Sequence, residues 1–335
     1  MSDWTDGDWT DSHAQLHGLL RSRPLLPADS RILIAVSGGQ DSLCLAKLLS
    51  DLQPKWRWQL AIVHCDHRWR PDSAANAAHV QQLARQWQLP SFCTAAAEHL
   101  SSEAAARAWR YQVFATLAQQ QQFTHVVTGH TATDRAETVL YNLLRGSGLA
   151  GLQSLTWQRP LSQAAEVQLI RPLLGFTRAQ TGHFCQLQQL PVWEDATNRD
   201  LSYRRNRIRH ELMPYLRSHF NPQVESALAQ TAEIFSAEQN YLDAQTEQLY
   251  QAIVQLEAAS KTWCISRTQF RAAPLALRRR LARRVLLAAL PQVPQFEHIE
   301  KLVRLAEQPN RSQTDPFPGG LIARVENSLI LIAPG

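Results

Sequence analysis

The sequence predicts an α/β fold: a doubly wound, mainly parallel sheet followed by a smaller, mainly helical C-terminal domain. Three observations predict it. Between residues 31 and 195, short apolar runs alternate with helical patterns, the arrangement that produces parallel pairing through crossover helices. One of those runs, Ile32-Leu33-Ile34-Ala35-Val36, ends on a glycine pair that opens a helix. Past residue 220 the alternation gives way to long stretches rich in Ala, Gln and Glu.

In chain order, residues 1–24 read as a flexible or short helical extension. Strands are expected at 32–36, 60–65, 91–94, 125–128 and 167–171. Strands buried on both faces read as unbroken apolar runs, as the first of these does and as the second does up to His64. Helical patterns fall between them at 42–52, 73–88, 103–120 and 134–144. Asn221-Pro222 breaks the chain and starts a second domain. There a long helix is expected over 224–257, further helical blocks over 266–290 and 295–308, and a hairpin over 319–332. The expected domains are therefore 1–24, 25–220 and 221–335.

Ser37-Gly38-Gly39-Gln40-Asp41-Ser42 lies between the first strand and its helix. Glycines allow close backbone approach, and the free N–H groups of a helix start favour phosphate. Ser37 and Ser42 add hydroxyl donors. Asp41 would repel phosphates unless a cation lay between them, so it suggests Mg²⁺. An ordinary strand-to-helix turn would account for the glycines alone; the full string in this context points to a nucleotide. It is not a Walker A loop, because no Gly-Lys-Ser/Thr follows, and it lacks Gly-X-Gly-X-X-Gly. Ligands of such sheets sit outside the carboxyl ends of the strands. The turn, His64-Cys65-Asp66-His67 and Gly129-His130 should therefore line one crevice.

Five clusters carry candidate chemistry. Asp134 and Glu137, three apart at a helix start, share one face; capping would explain one carboxylate, and two at this edge read as metal or amine ligands. Arg107, Arg110 and Tyr111 fall within a turn of each other, and arginine clamps phosphate oxygens; alone, they would read as a solvated face. His64 and His67 flank Asp66, but stacking or backbone contact at a nucleotide crevice fits that spacing better than metal ligation. Asp195-Ala196-Thr197-Asn198 leads into Tyr203-Arg204-Arg205-Asn206-Arg207-Ile208-Arg209, and Arg271, Arg278, Arg279, Arg280, Arg283 and Arg284 form a second basic block. Basic clusters beside a nucleotide site point to a nucleic acid substrate.

Composition sets outer bounds. The 335 residues carry 34 Lys and Arg against 29 Asp and Glu, a net charge of +5, which leans toward anionic partners. No apolar run reaches membrane-span length. The acidic, polar Met1-Ser2-Asp3-Trp4-Thr5-Asp6 is not expected to be a signal peptide, so a cytoplasmic protein is expected. The 5 cysteines are scattered and form no Cys-X-X-Cys pair, which argues against a disulfide framework, a zinc knuckle and an iron–sulfur cluster.

The phosphate turn resembles that of PP-loop ATP pyrophosphatases. Residues 103–111, 130–138 and 195–209 narrow the resemblance to the tRNA(Ile)-lysidine synthetases, with one departure: Thr133 precedes Asp134 where that family often has a second acidic residue. The resemblance implies a ligase forming a carbon–nitrogen bond. ATP adenylates the wobble cytidine of the CAU anticodon of tRNA(Ile), pyrophosphate leaves, and free lysine displaces AMP. It implies catalytic roles for Asp41, Arg107, Asp134 and Glu137, and ATP contacts from Ser37, Gly38, Gly39, Gln40, Asp41, Ser42 and His64. Asp41 would hold Mg²⁺, and Arg204, Arg205, Asn206, Arg207, Arg209, Arg278 and Arg279 would hold the tRNA. Domain 25–220 would then be catalytic and 221–335 tRNA-binding. A PP-loop tRNA thiolase and a small-molecule amide ligase are the alternatives; the oligomeric state stays open, with a homodimer one option.

Overall fold

The computed structural model describes residues 9–98, 100–162, 165–194 and 200–334. The chain divides into two compact units, Met1–Ser236 and Ala237–Gly335.

The first unit is built on a six-stranded sheet of β1 (Arg31–Ala35), β2 (Gln59–Asp66), β3 (Ser91–Ala95), β4 (His125–Thr128), β5 (Gln158–Ser162) and β6 (Ala165–Ile170). Their order is β3-β2-β1-β4-β6-β5. All neighbours run parallel except β5, which pairs antiparallel with β6 at the edge. β5 escapes the sequence reading because it carries Arg159 and Pro160 and is bulged between Pro160 and Ser162; proline is tolerated on an edge strand, which need not donate on both sides.

Helices of this unit are α1 (Asp11–Ser22), α2 (Gln40–Trp56), α3 (Ser73–Gln86), α4 (Glu103–Gln120), α5 (Ala132–Leu144), α6 (Leu149–Leu152), α7 (Arg178–Leu187), α8 (Arg204–Arg207), α9 (Met213–His219) and the start of α10 (Val224–Ile253). A π turn, Ile208–Leu212, joins α8 to α9. The alternation of side chains along β1 feeds two cores. Ile32 and Ile34 pack with Leu16, Leu45, Leu49, Val80 and Phe184 from α1, α2, α3 and α7. Leu33 faces the other way, onto Phe114 and Ala118 of α4. Strand β1 is therefore the buried spine, and the turn at its end is fixed from both sides.

The second unit wraps α11 (Arg267–Ala272), α12 (Leu275–Ala289) and α13 (Phe296–Leu305) around an antiparallel sheet. That sheet comprises β7 (Val254–Glu257), β8 (Thr262–Ser266), β9 (Leu321–Glu326) and β10 (Leu329–Pro334), in the order β7-β8-β10-β9. The expected terminal hairpin is β9 with β10. The helix expected through residue 257 ends at Ile253, because Val254 to Glu257 pair with β8 instead. Phe270, Leu281, Val285, Leu302, Val325 and Ile330 are buried together here. No helix among the described residues is long and apolar enough to cross a membrane.

Candidate active site

The carboxyl ends of β1, β2 and β4 open into a cavity of ≈ 450 Å³. Its walls bring together the Ser37 to Ser42 turn, His64 and Asp66 at the end of β2 with His67 just after it, Arg107, Arg110 and Tyr111 of α4, His130, Asp134, and Arg205, Asn206 and Arg209. Arg204 and Arg207 point outward and are exposed. Asp195 to Asn198 lie outside the described residues.

The turn is shaped by its glycines. Gly38 adopts φ 87°, and a Cβ there would run into Asn76 Oδ1. Asn76 Nδ2 donates to the Ser37 carbonyl at 3.0 Å, and the Trp193 N–H to the Gly38 carbonyl at 3.0 Å. Ser42 Oγ donates to the Gly39 carbonyl at 2.8 Å and accepts from the Ser37 N–H at 3.2 Å. Gly39 is the N-cap of α2 and supplies no side-chain cap, so the first N–H groups of the helix remain available to an anion. Gly129, after β4, passes the start of α2 so closely that an added Cβ would lie 2.9 Å from the Asp41 carbonyl carbon and oxygen.

Gln40 contributes backbone to this turn, while its side chain engages α7. Its Nε2 donates to the Arg178 carbonyl at 2.7 Å and to Thr181 Oγ1 at 2.9 Å. Asp41 is anchored by the same helix, accepting from Arg178 Nη1 at 2.9 Å and from Thr181 Oγ1 at 2.5 Å. Burial pushes the Asp41 carboxyl up, and the Arg178 charge with the Thr181 hydroxyl offsets only part of that rise. Arg178, Thr181, Asn76, Trp193 and Gly129 position the turn; the sequence reading placed Gly129 at the crevice and singled out none of the other four. The one local signal is the capping box of α7, in which Thr177 and Gln180 bond each other's backbone.

Asp134 and Glu137 of α5 do share one face, as their spacing requires. Thr131 caps the helix, and its N–H and Oγ1 each donate to Asp134 Oδ2 at 2.9 Å. Glu137 is 0% exposed. Both carboxylates are held by the arginines of α8 and the π turn. Arg209 Nε donates to Glu137 Oε1 at 2.6 Å, and its Nη2 reaches Glu137 Oε2 at 2.9 Å and Asp134 Oδ1 at 3.0 Å. Arg205 lies 3.4 Å from each acid. Burial alone would raise the Asp134 carboxyl; Arg205, His130, Arg209 and the Thr131 N–H overcome it and leave it lowered. Ile208 and Met213 bury against Ala136, which fixes the arginine-bearing segment onto α5.

The remaining walls are neutral or cationic apart from Asp66 and Glu103. His64 Nδ1 donates to the Val36 carbonyl at 2.8 Å, and burial lowers its pKa. Burial and Arg110 lower His67 to about 4; its ring sits 5.5 Å from Trp69 and 5.2 Å from Trp109. Arg107 Nη2 donates to the Tyr111 hydroxyl at 3.2 Å. Arg110 Nε has no hydrogen-bond partner among the described residues. No three His, Cys, Asp or Glu side chains among the described residues are placed to hold a metal by themselves.

Comparison with known proteins now bears on this cavity. A PP-loop domain model matches residues 10–216, and a TilS substrate binding domain model matches residues 265–330. A tRNA(Ile)-lysidine synthase of Nostoc sp. is 53% identical over 98% of both chains. The chain belongs to the tRNA(Ile)-lysidine synthase family. Its relatives in that family include a synthase of Synechocystis sp., 50% identical over 96% of this chain and 97% of the other. A chloroplastic tRNA(Ile)-lysidine synthase of Zygnema circumcarinatum is 37% identical over 87% of this chain and 78% of its own. Among solved structures, a U34-tRNA thiolase of Methanococcus maripaludis shares the fold, with a TM-score of 0.56 at 16% identity over 68% of this chain and 78% of that one.

Three of the 5 cysteines lie in surroundings that disfavour the thiolate. Burial pushes Cys65 and Cys185 up to about 12 and Cys44 higher still, so these thiols stay protonated and poorly nucleophilic. The second basic block is also less bare than its sequence suggests. Arg271 and Arg278 pair with Glu307 at 3.0 and 2.9 Å, Arg279 with Glu300 at 2.6 Å, and Arg280 with Asp243 at 2.8 Å; Arg284 pairs with Glu247. The acids come from α10, α13 and the residues just after α13, far away in sequence.

Proposed function

We propose that the protein joins lysine to the wobble cytidine of a CAU-anticodon tRNA(Ile), forming lysidine. The observation that carries this reading is one cavity that holds both a phosphate turn and the Asp134 carboxylate, in a chain of this family. The cytidine carbonyl oxygen attacks the α-phosphorus of ATP and pyrophosphate leaves. The lysine ε-amine then attacks the activated ring carbon, loses a proton, and expels AMP with the former carbonyl oxygen.

Each group has a place in this chemistry. Backbone N–H groups from Gly39 to Ser42 and the two serine hydroxyls receive phosphate oxygens. Arg107 and Arg110 face the same space, and the unpartnered Arg110 Nε suits charge building on the leaving pyrophosphate. His64, held neutral by burial, offers a flat wall to the adenosine. Lysine's ammonium, with a pKa of about 10.4, must give up a proton before it attacks. The lowered Asp134 suits holding that cation, which leaves Glu137 to accept the proton. Mg²⁺ fits the donor set: it takes one or two carboxylates and completes its shell with phosphates and water, and Asp41 lines the cavity beside the phosphate turn. Bound there with ATP, it would neutralise the phosphate charge. Arg204, Asn206, Arg207, Arg278 and Arg279 are assigned to tRNA phosphates, and Arg205 and Arg209 to the shared edge of amine and RNA. The cytoplasm is the assigned compartment.

The test is mass spectrometry of the wobble nucleoside after incubating the protein with tRNA(Ile), ATP and isotope-labelled lysine. Incorporation of labelled lysine is expected, and Glu137→Gln should slow it at least ~100-fold, within the range for a lost acid–base group. Turnover with ammonia or sulfide instead of lysine, or full activity in Glu137→Gln, would overturn the assignment.

A further inference from the structure

We propose that Thr133 and Glu225 are positioning residues for the phosphate turn, acting on it through α7; the role rests on the reading just given, in which that turn receives ATP. Thr133 is the second residue of α5 and stands beside Asp134. Its hydroxyl does not cap its own helix, a task that Thr131 performs. Instead it makes two contacts with residues far away in sequence. Thr133 Oγ1 accepts from the Arg178 N–H at 3.0 Å and donates to Glu225 Oε2 at 2.7 Å. A backbone N–H can only donate and an ionised carboxylate can only accept, so both directions are set. The contact is largely shielded from water: Thr133 is 7% exposed and the Glu225 side chain 14%. Arg217 pairs with the other Glu225 oxygen.

Arg178 is the first residue of α7, and each of its polar ends is tied. Its N–H goes to Thr133, its carbonyl accepts from Gln40 Nε2 at 2.7 Å, and its Nη1 donates to Asp41 Oδ2 at 2.9 Å. Beside it, the Ala132 N–H donates to the Phe176 carbonyl at 2.7 Å. The starts of α5 and α7 are therefore pinned together twice, and the Thr133 hydroxyl is the pin that a side-chain substitution can remove. Without it the Arg178 N–H becomes a helix-start donor with no partner. The residue that orients Asp41 can then shift, and a small displacement of a binding group is costly. The pairing also explains why residue 133 carries a hydroxyl. A carboxylate there could accept from Arg178, but it has no proton to give and would face Glu225 as a second anion. Glu225 lies in the first turn of α10, where the helix dipole favours an acid. The dipole accounts for the charge at that place, and the Thr133 hydroxyl for its direction.

Calorimetry on the full-length protein measures the Kd for a non-hydrolysable ATP analogue with Mg²⁺, and filter retention measures tRNA(Ile) binding without nucleotide. Thr133→Val should bind the analogue ~10-fold more weakly and the tRNA like the parent. Thr133→Ser keeps the hydroxyl and should match the parent in both. The polarity of the bond is then reversed. Thr133→Asp should weaken analogue binding by at least ~10-fold, and adding Glu225→Gln, whose amide supplies the missing donor, should recover most of the loss. Glu225→Gln alone still accepts through its amide oxygen and should bind near the parent. Parental analogue affinity in Thr133→Val overturns this role, as does a double variant no better than Thr133→Asp. So does an equal fall in analogue and tRNA binding, which would mark a general loss of fold. Lysine transfer by the parent is read separately. A parent that binds the analogue and transfers no lysine defeats the overall reading alone; normal transfer with no effect of Thr133→Val defeats the positioning role alone.

Discussion

Gly129→Ala sets two opposite effects against each other. Gly129 has no positive-φ requirement, so alanine there would ordinarily stabilise by ~0.4–1 kcal/mol through the unfolded chain. The structure opposes this with space. The new methyl would sit 2.9 Å from the Asp41 carbonyl and 3.0 Å from the Ser42 nitrogen. These are backbone atoms of the helix start, with no rotamer to yield. Overpacking of this kind costs ~1–3 kcal/mol, so the sum is a loss of about 1–2 kcal/mol. For a unit of this size that lowers Tm by about 2–8 °C. The strain is relieved by moving the α2 start away from β4, which spoils the phosphate turn. ATP binding must restore it, so affinity should fall about 5- to 30-fold. Thermal unfolding without ligand and calorimetric titration with a non-hydrolysable ATP analogue measure both quantities. A variant as stable as the parent, with parental affinity, would refute the argument that β4 sets the position of the turn.

Two further outcomes follow from the charges. The folded His67 sits at about 4 rather than its usual 6.5, so the unfolded chain takes up its proton first; the part of the stability that depends on His67 should fall as pH drops below about 6.5 and level off near 4. His67→Gln should flatten that slope in urea unfolding at stepped pH, and a parental slope would show that His67 does not cause it. The exposed Arg204 and Arg207 are cleaner tests of RNA contact than Arg205, whose reversal would set three acids together. Arg204→Glu with Arg207→Glu should weaken tRNA binding and reduce the slope of log K against log salt by about 2; an unaltered slope removes both from the interface.

The phosphate turn and the parallel strands were legible because both are local. Apolar runs, glycines and a helix start are written in consecutive residues, and the six-stranded sheet reproduces the expected parallel strands within one or two residues at most ends. Strand β7 was not, because Val254 to Glu257 continue a helical composition and become a strand only by pairing with β8. Arg178 and Thr181 were invisible for a similar reason: they lie more than 130 residues from Asp41, and neither forms a motif by itself. The arginine block of α12 shows the same limit for charge. No acid stands within it, yet Glu307, Glu300, Asp243 and Glu247 fold against it. Local sequence reports how many charges a helix carries, and only the tertiary fold reports how many are already answered. The same holds for Arg205 and Arg209, read from sequence as RNA ligands and found on Glu137 and Asp134.

That last arrangement is a closed square of two anions and two cations. Its net charge is zero, so it exerts little pull on a distant ammonium ion. On the proposed function, an incoming lysine ammonium would enter such a square as in an ion-exchange resin, displacing one resident guanidinium toward an anion outside, which RNA phosphate would supply.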